Sequence, residues 1–208
     1  ERLIVRRLRD RYPTAAILTE ESGLHSGSGQ ERWIVDPLDG TTNYAHGYPL
    51  WNVSIAYERD GELIAGVVYA PSMGECFAAE RGGGARCNDE PIAVSAIPWL
   101  GEALTCTGFY PADFARNGPQ FAAVSGRAQA VRRDGAAALD LAYVACGRFD
   151  GFWEFDLHAW DVAAGTLLIR EAGGAVTAID GGPAALDAGS ILATNGKIHE
   201  ELRDALRV

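Results

Sequence analysis

The chain has 208 residues, enough for about one to one and a half domains of average size. Its apolar fraction of 48% and charged fraction of 22% are typical of a folded globular protein and exclude a disordered or fibrous chain. The formal net charge of −10 at pH 7 would repel a phosphate backbone, so we expect no nucleic-acid partner. The sequence has neither a signal peptide nor an apolar run long enough to span a bilayer, so we expect no membrane partner.

The cysteines indicate a reducing compartment. Cys76, Cys87, Cys106 and Cys146 form no Cys-x-x-Cys pair, which argues against a zinc knuckle or a redox dithiol. We therefore expect a cytoplasmic protein. The sequence also starts at Glu1 without a methionine and enters a helical pattern at once, so we expect a further segment upstream.

The first half of the chain predicts one helix followed by strands. Apolar residues at helical spacing predict a helix over 1–12, which ends at Pro13. Asp60-Gly61 between two apolar runs predicts a hairpin. The other predicted elements are strands at 15–18, 33–35, 53–58, 63–69 and 75–80, a loop at 22–30, a turn at 82–84 and a connection at 91–98.

The second half of the chain predicts alternating helices and strands. Residues 108–120 contain glycine, proline and asparagine and predict an irregular waist, which would divide one domain (1–208) into halves of about 1–120 and 121–208. Predicted helices cover 136–146, 161–172 and 198–206, and predicted strands cover 149–155, 175–179 and 191–193. Mixed elements of this kind indicate an α/β or α+β fold with one layered core.

Residues 33–43, Trp-Ile-Val-Asp-Pro-Leu-Asp-Gly-Thr-Thr-Asn, carry the strongest chemical pattern. An apolar strand leads to two carboxylates, Asp36 and Asp39, and Gly40 permits a close backbone approach. From Thr41 onward, hydroxyls and backbone N–H groups would suit an anionic oxygen. Asp-Gly-Thr is also common in surface turns. The pattern therefore predicts either a capped turn or cation ligands beside a phosphate-binding loop.

Two further acidic positions favour the cation site. Glu20 and Glu21 follow a short apolar strand, where carboxylates are costly to desolvate unless a positive group holds them. Asp161 lies in the first turn of a predicted helix and by itself could be a helix-terminal acid. The four histidines have no zinc-ligand spacing, so oxygen ligands and magnesium are indicated.

Three motifs together resemble the signatures of a known enzyme family. They are residues 19–22 (Thr-Glu-Glu-Ser), 36–43 (Asp-Pro-Leu-Asp-Gly-Thr-Thr-Asn) and 160–165 (Trp-Asp-Val-Ala-Ala-Gly). In order and spacing they look like those of the inositol monophosphatase family of magnesium-dependent, lithium-sensitive phosphatases, and the likeness runs over the whole chain. The resemblance implies a mixed α/β fold, a layered αβαβα sandwich of the sugar phosphatase type that is usually a homodimer.

The resemblance also implies roles for particular residues. Two or three Mg²⁺ ions would be bound, the first by Glu20, Asp36, the Leu38 carbonyl and Thr41, and the second by Asp36, Asp39 and Asp161. Catalysis would involve Glu20, Thr41 and Asp36, with Glu20 orienting the attacking water and Thr41 as its hydrogen-bonding partner. The substrate would contact Gly40 and Thr41 through their N–H groups, and also Gly135, Ala137, Glu154 and Asp161.

The substrate is predicted less sharply than the chemistry. Glu154 favours a polyol phosphate such as inositol monophosphate, because a carboxylate can accept protons from two neighbouring hydroxyls. Relatives handle fructose 1,6-bisphosphate, NADP, histidinol phosphate or adenosine 3′,5′-bisphosphate, and these stay open. Ala136 replaces a serine or threonine usual in the family, which removes a hydroxyl near the substrate. The family also carries helices upstream of the position of Glu1, with a lysine and an acid that supports the nucleophile.

Two other interpretations remain. Residues 36–41 superficially resemble the Asp-x-Asp-Gly-Thr motif of haloacid-dehalogenase type phosphatases, but here the acids are three positions apart with a proline between them. The second alternative is a non-catalytic metal-binding or interaction protein on the same scaffold. Magnesium-dependent release of phosphate that a chelator abolishes would exclude it.

Overall fold

The computed structural model describes residues 1–187 and 189–208. The helices are α1 (Arg2–Arg11), α2 (Thr41–Ala45), α3 (Phe114–Ser125), α4 (Ala137–Ala145), α5 (Ala159–Glu171) and α6 (His199–Ala205). The strands are β1 (Ala16–Thr19), β2 (Gly23–His25), β3 (Glu31–Asp39), β4 (Asn52–Arg59), β5 (Glu62–Ala70), β6 (Glu75–Glu80), β7 (Gly84–Cys87), β8 (Glu90–Ile92), β9 (Leu104–Gly108), β10 (Ala130–Arg132), β11 (Gly151–Phe155), β12 (Ala175–Thr177) and β13 (Ser190–Thr194).

The strands form two mixed sheets. The larger has the order β2-β1-β3-β4-β5-β6-β7-β8, and the smaller has the order β10-β9-β11-β13-β12. Strand β1 runs parallel to β3, and β9 runs parallel to both β10 and β11. Parallel neighbours end at the same edge of a sheet, so each sheet brings the carboxyl ends of adjacent strands together.

The layers follow the order αβαβα, as predicted. Helix α5 packs on strands β3 to β6 of the larger sheet, and α4 packs on α5 and on β9 and β11 of the smaller sheet. Helices α3 and α6 cover the outer face of the smaller sheet, where they enclose Trp153 and Leu192. Helix α1 covers the outer face of the larger sheet and buries Val5 against Ile17 and Val35.

Small side chains let the two central helices fit between the sheets. Every residue of α4 is buried, because both of its faces meet protein. Four of its nine residues are alanine, which keeps the helix thin enough for this position. At the crossing with α5, a Cβ added to Gly165 would lie 2.5 Å from the Cβ of Leu141. The glycine is therefore required for the close approach of α5 to α4.

Most predicted elements are confirmed, including the hairpin at Asp60-Gly61, but the segment 108–120 is not irregular. It contains the start of α3, with Pro119 inside the helix. Gly118 and Pro119 are poor helix formers, and the sequence prediction gave them too much weight. Packing outweighs propensity here, because Val124 is fully buried in the outer core of the smaller sheet.

Several short strands were also missed or misassigned. The predicted loop 22–30 contains β2, which pairs antiparallel with β1. The predicted connection 91–98 begins within β8, which pairs with β7. Strands β7, β9 and β10 were not predicted, since runs of three to five residues are too short to show a clear period. The division of the domain into halves near residue 120 stays a prediction.

Candidate functional site

The carboxyl ends of β1, β3 and β11 and the first turns of α4 and α5 border one cleft of about 510 Å³. The structure brings every predicted site residue to its wall. These residues are Glu20, Asp36, Leu38, Asp39, Gly40, Thr41, Gly135, Ala137, Glu154 and Asp161. Residues from distant parts of the chain thus meet around a space suited to a small ligand.

Glu20 and Asp36 are neighbours because β1 and β3 are parallel. Thr19 and Val35 form the last pair of this ladder, so the residues that follow them, Glu20 and Asp36, lie side by side at the edge of the cleft. Asp36 is only 2% exposed, and its Oδ1 accepts a hydrogen bond of 2.9 Å from the Leu38 N–H. Burial raises the pKa of Asp36 well above its usual range, and the charges of Asp39 and Glu20 raise it further.

Asp39 is held by groups from two other elements. Its Oδ2 accepts one hydrogen bond of 2.7 Å from Asn52 Nδ2 on β4 and another of 2.9 Å from the N–H of Ala138 on α4. Burial raises the pKa of Asp39 to about 7, although the hydrogen bond from Asn52 lowers it. The carboxylate is therefore fixed in orientation while its charged form stays costly.

Asp161 is both a helix-terminal acid and a cleft residue. It lies in the first turn of α5, and its Oδ2 accepts a hydrogen bond of 2.7 Å from the N–H of His158. Burial raises the pKa of Asp161 to about 6, and the charge of Glu20 contributes in the same direction. The helix cap fixes the side chain that faces the other acids.

Glu154 also lines the cleft. It is paired with Gly108 on the parallel strand β9, and a Cβ on Gly108 would overlap the Glu154 carboxylate. Burial raises the pKa of Glu154 to about 8, with further contributions from the charges of Asp39 and Asp161. Arg133 partly offsets this effect.

The turn after β3 depends on Gly40. Its φ of +83° is in the left-handed region, and a Cβ there would lie 2.9 Å from the Leu50 carbonyl oxygen. The Thr41 hydroxyl donates a hydrogen bond of 3.0 Å to the Leu38 carbonyl. The sequence analysis expected Thr41 to be the hydrogen-bonding partner of Glu20. In the structure the acceptor for the Thr41 hydroxyl is the Leu38 carbonyl instead.

Asn43 connects this turn to the second half of the chain. Its Nδ2 donates to the carbonyl oxygens of Leu50, at 2.7 Å, and Asp134, at 2.8 Å. The backbone next to Gly135 is thereby joined to the loop that carries Asp39. The two walls of the cleft are held in register by this side chain.

The donor set fits magnesium. Glu20, Asp36, Asp39 and Asp161 supply only oxygen, and none of them takes part in an ion pair with another described residue. In each aspartate one oxygen accepts N–H groups, which leaves the other oxygen for a ligand. Burial raises the pKa of Asp36, Asp39 and Asp161, and the charges of neighbouring acids add to the rise; a hard divalent cation would offset both costs.

Sequence reasoning missed Asn52 and Tyr110. Asn52 is fully buried at the start of β4, and a polar residue opening an apolar strand was the available signal. Tyr110 is 75% exposed at the cleft mouth and lies in the segment predicted as irregular, where nothing marked it. Beside it the Arg133 guanidinium lies 4.5 Å from the centre of the Phe109 ring.

Comparison with known proteins decides the family. The model of the Inositol monophosphatase family matches residues 1–207. The chain belongs to the inositol monophosphatase family. This family membership implies phosphatase activity of a generally metal-dependent kind, and it excludes the haloacid-dehalogenase alternative.

Relatives of the chain carry two different names. Inositol-1-monophosphatase of Rhizobium meliloti is 48% identical over 211 residues, which cover 100% of this chain and 79% of that protein. Nus factor SuhB of Pseudomonas aeruginosa is 46% identical over 210 residues, with coverage of 97% and 78%. The solved inositol monophosphatase of Anabaena (Nostoc) has a TM-score of 0.94 and 45% identity, and the match covers 99% of this chain and 83% of that one.

The structure also bears on the membrane expectation. None of the helices in residues 1–187 and 189–208 combines the length and apolar character that crossing a bilayer demands.

The four cysteines are free thiols.

Proposed function

We propose that the protein hydrolyses a small phosphate monoester, with inositol monophosphate as the preferred substrate. The observation that carries this proposal is the convergence of acids from β1, β3 and α5 with the Gly40–Thr41 turn in one cleft. Four acids and a turn that presents backbone N–H groups are complementary to a phosphate group accompanied by cations.

Two or three Mg²⁺ ions would be held by the oxygen donors already described. Glu20, Asp36, the Leu38 carbonyl and Thr41 are assigned to the first ion, and Asp36, Asp39 and Asp161 to the second. When bound, magnesium withdraws charge from the phosphate, favours ionisation of a water and stabilises the leaving alkoxide. Asp36 belongs to both sets, and its burial agrees with a position between the two ions.

The chain's own groups position the reactants. The N–H groups of Gly40 and Thr41 bind a phosphate oxygen, because the left-handed turn at Gly40 leaves no side chain in the way. Glu20 is the most exposed of the acids and orients the attacking water. Thr41 holds the Leu38 carbonyl in place through its hydroxyl.

The other wall of the cleft selects the substrate. Glu154 accepts hydrogen bonds from two neighbouring hydroxyls of a polyol, and Gly135 and Ala137 border the ring. Ala136 offers no hydroxyl there, so discrimination depends mainly on Glu154. Fructose 1,6-bisphosphate, NADP, histidinol phosphate and adenosine 3′,5′-bisphosphate are the competing substrates.

A phosphate-release panel with these five substrates tests the proposal. We expect magnesium-dependent turnover that is highest with inositol monophosphate and is abolished by a chelator. Higher turnover with another member would reassign the substrate. No turnover with any of them would favour the non-catalytic protein on the same scaffold.

A Nus-factor role is the second candidate function, favoured by the 46% identity to the protein of that name from Pseudomonas aeruginosa. The Asp36→Asn variant separates the two, because it removes a ligand from both proposed ions. Nus-factor activity that survives in this variant would show a role independent of hydrolysis. Loss of both hydrolysis and Nus-factor activity would show that the Nus-factor role depends on the cleft.

We also propose a cytoplasmic homodimer. The family resemblance supports the dimer, and four free thiols support a reducing compartment. Sedimentation of the purified protein would give a mass twice that of the 22.2 kDa chain if the dimer forms.

A further inference from the structure

A second group of potential metal ligands lies behind the Gly135 wall of the cleft. Cys106, Asp134 and Asp140 each place one ligand atom within 4.8 Å of the other two. Cys106 is in the middle of β9, Asp134 is in the loop before Gly135, and Asp140 is in the first turn of α4. None of them belongs to the set of acids proposed for magnesium.

Asp140 makes this group unusual. Its carboxyl is 2% exposed, and its Oδ2 has no hydrogen-bond partner within the described chain. A buried carboxyl oxygen without a partner is costly because it has lost its hydration, so such atoms are rare in folded proteins. The oxygen is therefore available to a ligand that enters the group.

Cys106 determines what kind of ligand fits. Its side chain is fully buried in the main core between the sheets, and it is the only sulfur of the three. Zn²⁺ binds thiolate and carboxylate oxygens together, whereas Mg²⁺ prefers oxygen alone. A thiolate and two carboxylates carry a charge of about −3, which a divalent cation reduces to about −1.

Asp134 is the member of the group that borders the cleft. It is partly exposed and lines the large cleft, while Cys106 and Asp140 lie deeper. A cation arriving from the cleft would meet Asp134 first and then the two buried groups.

We propose that Cys106, Asp134 and Asp140 bind one thiophilic divalent cation of the Zn²⁺ type, in addition to the magnesium of the catalytic cleft. Binding forms a metal–sulfur bond to Cys106 and metal–oxygen bonds to Asp134 and Asp140, and it releases to solvent the thiol proton together with any proton held by the two carboxyl groups. The ion anchors the loop before Gly135 to β9 and α4. Because Asn43 donates to the Asp134 carbonyl, the ion also braces the turn that carries Asp39.

Cobalt spectroscopy tests this site without measuring activity. Co²⁺ is added to the full protein with excess Mg²⁺ present, so that the oxygen-only cleft is occupied. A near-ultraviolet thiolate-to-cobalt charge-transfer band at one equivalent is the expected result. The Cys106→Ser variant should lose the band, whereas the matched variant Cys87→Ser should keep it. Asp140→Asn should weaken Co²⁺ binding by at least about tenfold.

A variant that keeps Cys106 as the sole thiol allows the test to be made even if Cys106→Ser does not fold. If Cys106→Ser does not fold, the protein with Cys76, Cys87 and Cys146 all changed to serine must still show the full band. A wild-type protein without the band, or a band that persists in Cys106→Ser, overturns the proposal. Unchanged affinity in a folded Asp140→Asn protein would also overturn it.

Discussion

Asn52 Nδ2 donates a hydrogen bond of 2.7 Å to Asp39 Oδ2, and both side chains are buried. The amide belongs to β4 and the carboxylate to the end of β3, so the bond fixes an acid of the cleft to the neighbouring strand. One carboxylate oxygen is thereby committed to the protein. The orientation of the other oxygen, which we assign to magnesium, depends on this bond.

Removal of the Asn52 amide should weaken magnesium binding. In Asn52→Ala, Asp39 loses a hydrogen bond that favours its charged form, and we expect magnesium affinity to fall about 10–100-fold. Titration calorimetry measures the affinity, and turnover at saturating magnesium should recover substantially. Unchanged affinity in a folded variant would show that Asn52 does not position Asp39.

Glu20→Gln should leave the fold intact and reduce turnover by at least about 100-fold, since a group that handles the proton of the attacking water is lost. Glu21→Gln is the matched control, because Glu21 is the adjacent exposed acid and does not line the cleft. Steady-state kinetics at saturating magnesium and substrate compare the two. Near-normal turnover in Glu20→Gln would refute the assignment.

The metal-free protein should lose stability as the pH rises. Burial raises the pKa of Asp161 to about 6, of Asp39 to about 7 and of Glu154 to about 8, from ordinary values of 3.8 to 4.5. Between these values the folded protein binds more protons than the unfolded chain, so the free energy of unfolding falls with pH from about 4 to about 8.

Thermal unfolding in a chelator, followed across this pH range, measures the loss. Magnesium should restore stability mainly at the upper end of the range, where the acids are ionised. A melting temperature of the metal-free protein that stays level or rises through the range would contradict the interpretation that burial and neighbouring charges raise the pKa values of these acids.

Gly165→Ala should destabilise the fold by about 1–3 kcal/mol, because the added methyl group overlaps Leu141 where α5 crosses α4. Gly101→Ala is the control, since its nearest contact would be an ordinary 3.8 Å from the Arg127 carbonyl oxygen. Denaturant unfolding compares both with the parent protein. Equal stability of the two variants would mean that the helices can separate without cost.

The sequence was most informative where chemistry and pattern coincide. Asp36 and Asp39 stand at the end of an apolar strand, and their convergence with Asp161 follows from strand ends and helix starts. The αβαβα layering came from the family resemblance, since alternation of elements allowed several layered folds. Asn52, Tyr110 and helix α3 were missed because tertiary packing, which no local pattern encodes, decides their positions.

Asp36→Asn tests the central claim most directly. Phosphate release from inositol monophosphate in magnesium is compared for the parent protein, Asp36→Asn and the control Asp60→Asn, whose residue lies in the exposed hairpin turn at φ +54° and tolerates asparagine. We predict that Asp36→Asn loses at least about 100-fold in turnover while Asp60→Asn keeps full activity. Comparable phosphate release by all three proteins would contradict the proposal that acids from separate strands hold the magnesium for hydrolysis.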